Sequence, residues 1–345
     1  MATMIQLRRL RLLVLPVLAL FAGQSTLAAQ ANAEDGFQGY LQLLAARARA
    51  EGVSEASIQR LTSGMTLNPR VIELDRAQPG IAPVPPPVAP YIAAHVDAAR
   101  IAGGRNMYNN MAGVIPRIEA RYGVPAKMML AIWGHETNYG SYTGDFDLAR
   151  SLATLAYEGR RRQLFADEFI ALLKMADQGV PRERMLGSYA GAFGNPQFLP
   201  SVYLRTAVDG DGNGTRDIWN SRADTLASIA NYFRDAGWRP GEPWGVRASV
   251  PAGFNRSVVA TRLAPDSCSR VHARHSQWKT VAEWRALGIV PQAAIADDTL
   301  ASLFEPDGPG TPAYLLTGNY RVILQYNCSN YYALSVGLLA DEIVR

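Results

Sequence analysis

Apolar residues recur at helical spacing through most of this chain and lose that spacing from residue 246 onward. "FQGYLQLLAARARAEGV" carries one apolar face and stops at Gly52, and "SEASIQRLTSGM" opens on Ser54 as an N-cap, so residues 36–76 read as helix, turn, helix. The prolines of "QPGIAPVPPPVAPY", 78–91, remove donors and fix φ, which predicts an extended connector, with a proline-rich ligand for a partner domain as the alternative. Residues 91–240 hold the densest helical pattern. "VIPRIEARYGVPAKMMLAIWGHE" reads as two helices broken at Gly123, with Pro125 suited to the first turn of the second. Further helices are predicted near 160–177 and 223–236, and "YYALSVGLLADEIV" closes the chain as another. "YRVILQYN", preceded by the turn residues "LTGNY", reads as a strand. The fold class is mainly α (α+β), with a small mixed region near the C-terminus and no internal repeat.

The first 33 residues change this picture. Arg8, Arg9 and Arg11 precede the short apolar run "LLVLPVLALFAG", and "ANA" at 31–33 fits a small-x-small cleavage pattern. This is the pattern of a secretory signal, with Glu34 as the expected mature start and "LAA" at 27–29 as a competing site. A membrane span needs about 20 apolar residues, and here Pro16 interrupts a shorter run. No cysteine follows the run, so no lipid anchor is expected, and the mature chain is expected to be exported, soluble and periplasmic. Removing 33 of the 345 residues leaves 312, ample for a core. The expected division is a helical segment and connector over 34–90, a core over 91–245 that includes the acidic loop described below, and a mixed region over 246–345. The formal charge of +4 falls to +1 once the three arginines leave, so no nucleic-acid partner is indicated. Cys268 and Cys328 would meet an oxidising compartment; a disulfide is expected over the alternative of two buried thiols.

One acid stands out. Met128, Met129, Ile132 and Trp133 form a stripe, and Glu136 continues it at three and four residues' distance. A carboxyl on such a face loses hydration, which raises its pKa and keeps a proton on it near neutrality. Gly134 and Gly140 are expected to leave room for a ligand, with Tyr139 and Tyr142 offering flat faces. The competing reading is a helix-end glutamate turned to solvent. "HETNY" lacks the second histidine of a zinc-protease motif, and "HARH" at 272–275 has no acidic company, so neither is read as a metal site. A second stretch, "GSYAGAFGNPQFLPSVY" at 187–203, mixes glycines, rings, Ser188 and Gln197 without helical or strand spacing at its start, which suits a carbohydrate groove better than a plain turn.

"DGDGNGTRDIWN", 209–220, follows an EF-hand loop through nine positions: Asp209, Asp211, Asn213, the Thr215 carbonyl and Asp217, with Gly214 at the sharp turn. Position twelve is Asn220 in place of a bidentate glutamate, which predicts a weak structural calcium site, with Kd in the ~0.1–1 mM range. Sodium is the alternative ion, and an ion-free Asx turn the alternative structure. No organic cofactor is expected.

The blocks "AIWGHETNYG", "SLATLAYEGRRRQLF", "GSYAGAFGNPQFLPSVY", "AVDGDGNGTRDIWN", "SIANYFRDAGW" and "YNCSNYYALSVGLL", in this order over residues 36–345, resemble the family B lytic murein transglycosylases. The resemblance implies a lysozyme-like core that cleaves the MurNAc–GlcNAc bond of peptidoglycan glycan strands and leaves a 1,6-anhydro end. It implies Glu136 as the single catalytic acid and Ser188 as a hydrogen-bond partner of that acid or of the acetamido group. Gln197, Tyr326 and Asn327 would contact sugar, beside the rings of Tyr139 and Tyr189 already read as sugar faces. Arg160 and Arg161, in a loop one residue shorter than the family's, would meet muropeptide carboxylates. Cell-wall synthesis proteins are candidate partners of a monomer. Hydrolytic lysozymes need a second carboxylate, which Asp145 or Asp147 could supply, so a muramidase is the alternative activity. A catalytically silent wall-binding protein is a further one, against which Glu136, Ser188 and Gln197 speak.

Overall fold

The computed structural model describes residues 17–78, 85–261 and 268–344. The charged start of the predicted signal lies outside the described residues, and among these no helix is long and apolar enough to cross a membrane.

Helix α1 (Val17–Ala50) buries Phe37, Leu41, Leu44, Ala45 and Ala48, the three- and four-residue spacing read from the sequence. Gly52, at φ 84°, turns the chain, and Ser54 caps α2 (Glu55–Thr62) by accepting from the Ser57 N–H at 3.2 Å. A short third helix, α3 (Pro69–Arg76), follows. The proline-rich stretch is less extended than expected. Residues 79–84 of it lie outside the described residues, but α4 (Val88–His95) starts inside it, with Pro87 at the N-cap and Pro90 in the first turn. A first-turn N–H has no intrahelical partner, so proline costs nothing there.

After α5 (Ala98–Asn110) comes α6 (Ile115–Tyr122), ended by Gly123 at φ 69°, and then α7 (Ala126–Thr137), whose N-cap is Pro125. The two-residue β1 (Phe146–Asp147) leads into α8 (Leu148–Glu158) and α9 (Arg162–Asp177), and pairs antiparallel with β2 (Leu186–Gly187). Helices α10 (Pro200–Thr206) and α11 (Arg222–Asp235) flank the acidic loop.

The C-terminal third divides in two. Strands β3 (Gly245–Ser249), β4 (Trp278–Thr280), β5 (Val290–Pro291), β6 (Leu300–Phe304) and β7 (Ala313–Leu316), with α12 (Ser269–His272) and α13 (Val281–Ala286) between them, form an antiparallel sheet of order β4-β6-β7-β3-β5. It has its own small core around Val246, Trp284, Ile289, Leu303 and Leu315. Helices α14 (Gly318–Tyr326) and α15 (Asn330–Ile343) return to the main helical core, where α15 lies on α7. "YRVILQYN" is therefore helix, not strand. Thr317 caps α14 through the Asn319 N–H, and Tyr320, Ile323 and Leu324 are buried at helical spacing, so packing overrides the β-branched pair Val322–Ile323. Cys268 and Cys328 form a disulfide with their Cα atoms 5.8 Å apart, tying α12 to the end of α14.

Candidate active site

Glu136 arrives on the last turn of α7, whose preceding residues Met128, Met129, Leu130, Ile132 and Trp133 are buried in the core. Two non-glycine residues in the left-handed region, Asn138 and Tyr139, then end the helix abruptly. The residue keeps part of its surface open while its carboxyl is enclosed, and burial pushes the pKa up to about 7. One donor opposes that shift: the Tyr332 hydroxyl from α15, which donates to Glu136 Oε1 at 2.5 Å. Tyr332 is itself buried. Sequence reasoning placed it on a helix without giving it a role; the available signal was a tyrosine on an apolar helical face, whose hydroxyl requires a partner.

His135 lies beside the acid with Nε2 at 2.7 Å from Ser335 Oγ, and Ser335 in turn donates to the Tyr332 carbonyl at 2.8 Å. Burial, His95 and Arg100 push its pKa down to about 3, so the ring is neutral. It stacks on His95 at 4.8 Å, and His95 stacks on Tyr91 at 4.0 Å. The end of the supposed connector thus supplies a wall beside the acid.

The packing gives many of the expected site residues partners within the protein. Gly134 leaves room for the protein's own Tyr139: a Cβ there would fall 2.5 Å from that ring, and the Tyr139 hydroxyl donates to the Arg100 carbonyl at 2.8 Å. Tyr139 is a half-buried wedge between α5 and α7. Gly140 accommodates the Asn195 side chain, while Tyr142 is 72% exposed. The Ser188 hydroxyl accepts from the Ala192 N–H at 3.0 Å, tightening its loop, and Glu136 is held by Tyr332 rather than by Ser188. Gln197, at φ 50°, donates to the Thr143 and Gly194 carbonyls at 3.1 and 3.0 Å, which leaves its side-chain oxygen to accept. Tyr189 packs edge-on against Phe146 and accepts from Gln78 at 2.6 Å. The Tyr326 hydroxyl donates to the Pro196 carbonyl at 2.5 Å among Phe198, Tyr232 and Phe233, so it braces the loop; Asn327 is exposed at the end of α14. Arg160 and Arg161 both hold the buried carboxylate of Asp75. Asp147 caps α8 and pairs with Arg182 at 2.6 Å, so it is committed to structure; Asp145 is exposed.

In the acidic loop, the carboxylates of Asp209, Asp211 and Asp224 converge within 4.8 Å of one another. Asp224, buried on the first turn of α11, was missed because it lies beyond the twelve-residue pattern. Asp217 does not join them: it pairs with Arg184 at 2.9 Å and accepts from the Trp219 and Asn220 N–H groups. The Asn213 side-chain oxygen is engaged by Thr215. Three hard oxygen donors suit calcium or sodium, and two of them, Asp209 and Asp211, belong to the EF-hand pattern.

The described residues are mostly helical with a small sheet, and their site holds a buried carboxyl raised to about 7. The transglycosylase SLT domain matches residues 36–341, and the chain belongs to that family. It is 29% identical over 306 residues to the membrane-bound lytic murein transglycosylase B of Escherichia coli K12, covering 85% of this chain and 79% of the relative. The crystal structure of SltB3 from Pseudomonas aeruginosa, in complex with NAG-anhNAM-pentapeptide, superposes with a TM-score of 0.80 at 39% identity, covering 89% of this chain and 79% of that one. The E. coli lytic transglycosylase Slt35 in complex with calcium superposes at 0.71 with 26% identity, over 90% of this chain and 93% of the other.

Proposed function

We propose that this chain is a lytic transglycosylase that cleaves the β-1,4 bond between MurNAc and GlcNAc in peptidoglycan, with Glu136 as acid and then as base. The observation that carries the proposal is a carboxyl raised to about 7 with one donor on it, on the fold of this family. Burial keeps on this carboxyl, at pH values near neutrality, the proton needed to start. Glu136 gives it to the glycosidic oxygen as the C1–O bond breaks, and the acetamido oxygen of the muramoyl residue closes on C1. The carboxylate then takes the proton of the 6-hydroxyl while O6 attacks C1 and releases the acetamido group. No water is consumed, and no second carboxylate is required, in keeping with the structural commitment of Asp147. Tyr332 orients the carboxyl, Ser188 and the Gln197 oxygen face the sugars, and Arg160 and Arg161 meet stem-peptide carboxylates, the chemistry present in the SltB3 ligand. Export through the N-terminal signal brings the enzyme to the periplasm. Asp209, Asp211 and Asp224 would hold a calcium ion as a structural tie between α10 and α11, away from the chemistry.

Replacing Glu136 with Gln is expected to abolish release of muropeptides from purified sacculi, whereas the Asp145→Asn, Asp147→Asn double variant still forms anhydro products at a near-parental rate. Substantial lysis by the first, or loss of it in the second, contradicts the single-acid scheme.

A further inference from the structure

Residues 34–78 are more than a cap on the core. Arg150 holds the Thr66 and Leu67 carbonyls at 2.8 and 2.7 Å, and Arg182 holds those of Arg60 and Leu61 at 3.0 and 2.8 Å, so the core clamps this segment in register. Its last helix, α3, carries Asp75. Asp75, 1% exposed, accepts from Arg160 Nε at 2.9 Å and from Arg161 Nη2 at 2.5 Å, and its carbonyl accepts from Arg160 Nη2 at 2.6 Å. Three residues on, Gln78 donates to the Tyr189 hydroxyl at 2.6 Å, next to Ser188.

A carboxylate this buried persists only when paired, so the arginine pair is its fixed partner before any substrate arrives. Each guanidinium plane is set from two sides: Arg160 through two nitrogens on Asp75, Arg161 through Asp75 and the Phe165 ring 4.7 Å away. One negative charge under two positive ones leaves one positive charge over, since the neighbouring Glu158 is matched by Arg76 at 3.1 Å. Nη1 of both arginines remains to donate, and the side chains are 44% and 39% exposed. This is a pre-oriented carboxylate receptor, in which the ordering of two long side chains is complete before binding.

We propose that Asp75 is a positioning residue for stem-peptide recognition: it fixes Arg160 and Arg161 with their free ends toward a peptide carboxylate, so that the N-terminal helices set the enzyme's preference for peptide-bearing glycan. This rests on the assignment of the two arginines to stem-peptide carboxylates. The competing effect of Asp75, neutralising the arginines and weakening anion binding, has the opposite sign.

The test compares KM and kcat of the mature chain on peptide-bearing glycan strands and on the same strands stripped of peptide by an amidase. The parent is expected to show the lower KM on peptide-bearing strands. Asp75→Asn is expected to raise that KM roughly ten-fold, the loss of one charge-assisted contact, with kcat much less affected, so that the ratio of the two KM values approaches one. In an Arg160→Gln, Arg161→Gln background, adding Asp75→Asn is expected to change the ratio no further. Should Asp75→Asn fail to fold, Arg160→Lys, on a half-exposed side chain, keeps the charge and loses the two-nitrogen grip, and the ratio is expected to fall likewise. A lower KM in Asp75→Asn, an equal change on both strands, or a parent without preference overturns the proposal. Anhydro ends released from stripped strands test the transglycosylase reading separately.

Discussion

Tyr332→Phe isolates one atom of the proposed catalytic apparatus. The ring stays in place against His135, 4.5 Å away edge to face, so packing is kept and only the hydroxyl that donates to Glu136 Oε1 at 2.5 Å is lost. That donor favours the carboxylate and therefore lowers the Glu136 pKa, against the larger upward push of burial that places it at about 7. A hydrogen bond to a charged group contributes about 1.5–3 kcal/mol, and one pH unit corresponds to about 1.4 kcal/mol. Removing the donor is thus expected to raise the pKa by about one to two units. In the proposed mechanism the acid must be protonated to begin the reaction, so kcat/KM is expected to fall on the alkaline side as Glu136 ionises in the free enzyme. In Tyr332→Phe that limb is expected to move to higher pH by the same one to two units, with a lower maximal rate because the carboxyl has lost its fixed orientation. Initial rates of muropeptide release from purified sacculi between pH 5 and pH 10 measure it. A limb that stays in place or moves to lower pH refutes the reasoning.

Three further outcomes follow from the same geometry. Glu136 has a folded pKa of about 7 against an ordinary 4.5, so its contribution to stability is full below pH 4.5 and is lost as pH rises through 7; Glu136→Gln is expected to be more stable than the parent at pH 8, by up to about 3 kcal/mol, with little difference at pH 4, and equal melting at both pH values contradicts the burial argument. Calcium at 10 mM is expected to stabilise the fold by about 1.4–2.7 kcal/mol if Kd lies between ~0.1 and 1 mM, an effect that Asp224→Asn reduces and Asp217→Asn leaves largely intact; an unchanged melting midpoint in calcium removes the ion from the account. Reduction of Cys268–Cys328, which closes a loop of 60 residues, is expected to cost about 4 kcal/mol in the chain-entropy view, and identical melts with and without reductant contradict it.

The helices of the core were legible because their apolar spacing and caps are local: Ser54, Gly123 and the stripe ending at Glu136 act within a few residues of themselves. The enclosed carboxyl of Glu136 was legible for the same reason. Its partner was not, since Tyr332 lies 196 residues away and meets Glu136 only because α15 lies on α7. Long-range packing also explains the errors. Gly134 looks like open space in the sequence and is filled by a ring five residues on that leans against α5. Val322–Ile323 suggest a strand, yet the buried face of α14 absorbs them. Asp224 belongs to the next helix, so a loop pattern twelve residues long could not include it.

The chemistry of the released ends tests the central claim most directly. Digestion of purified sacculi by the mature protein, followed by mass spectrometry of the muropeptides, is expected to give 1,6-anhydro-MurNAc ends, and none after Glu136→Gln. Reducing MurNAc ends as the main product would contradict the transfer of the bond to the substrate's own 6-hydroxyl.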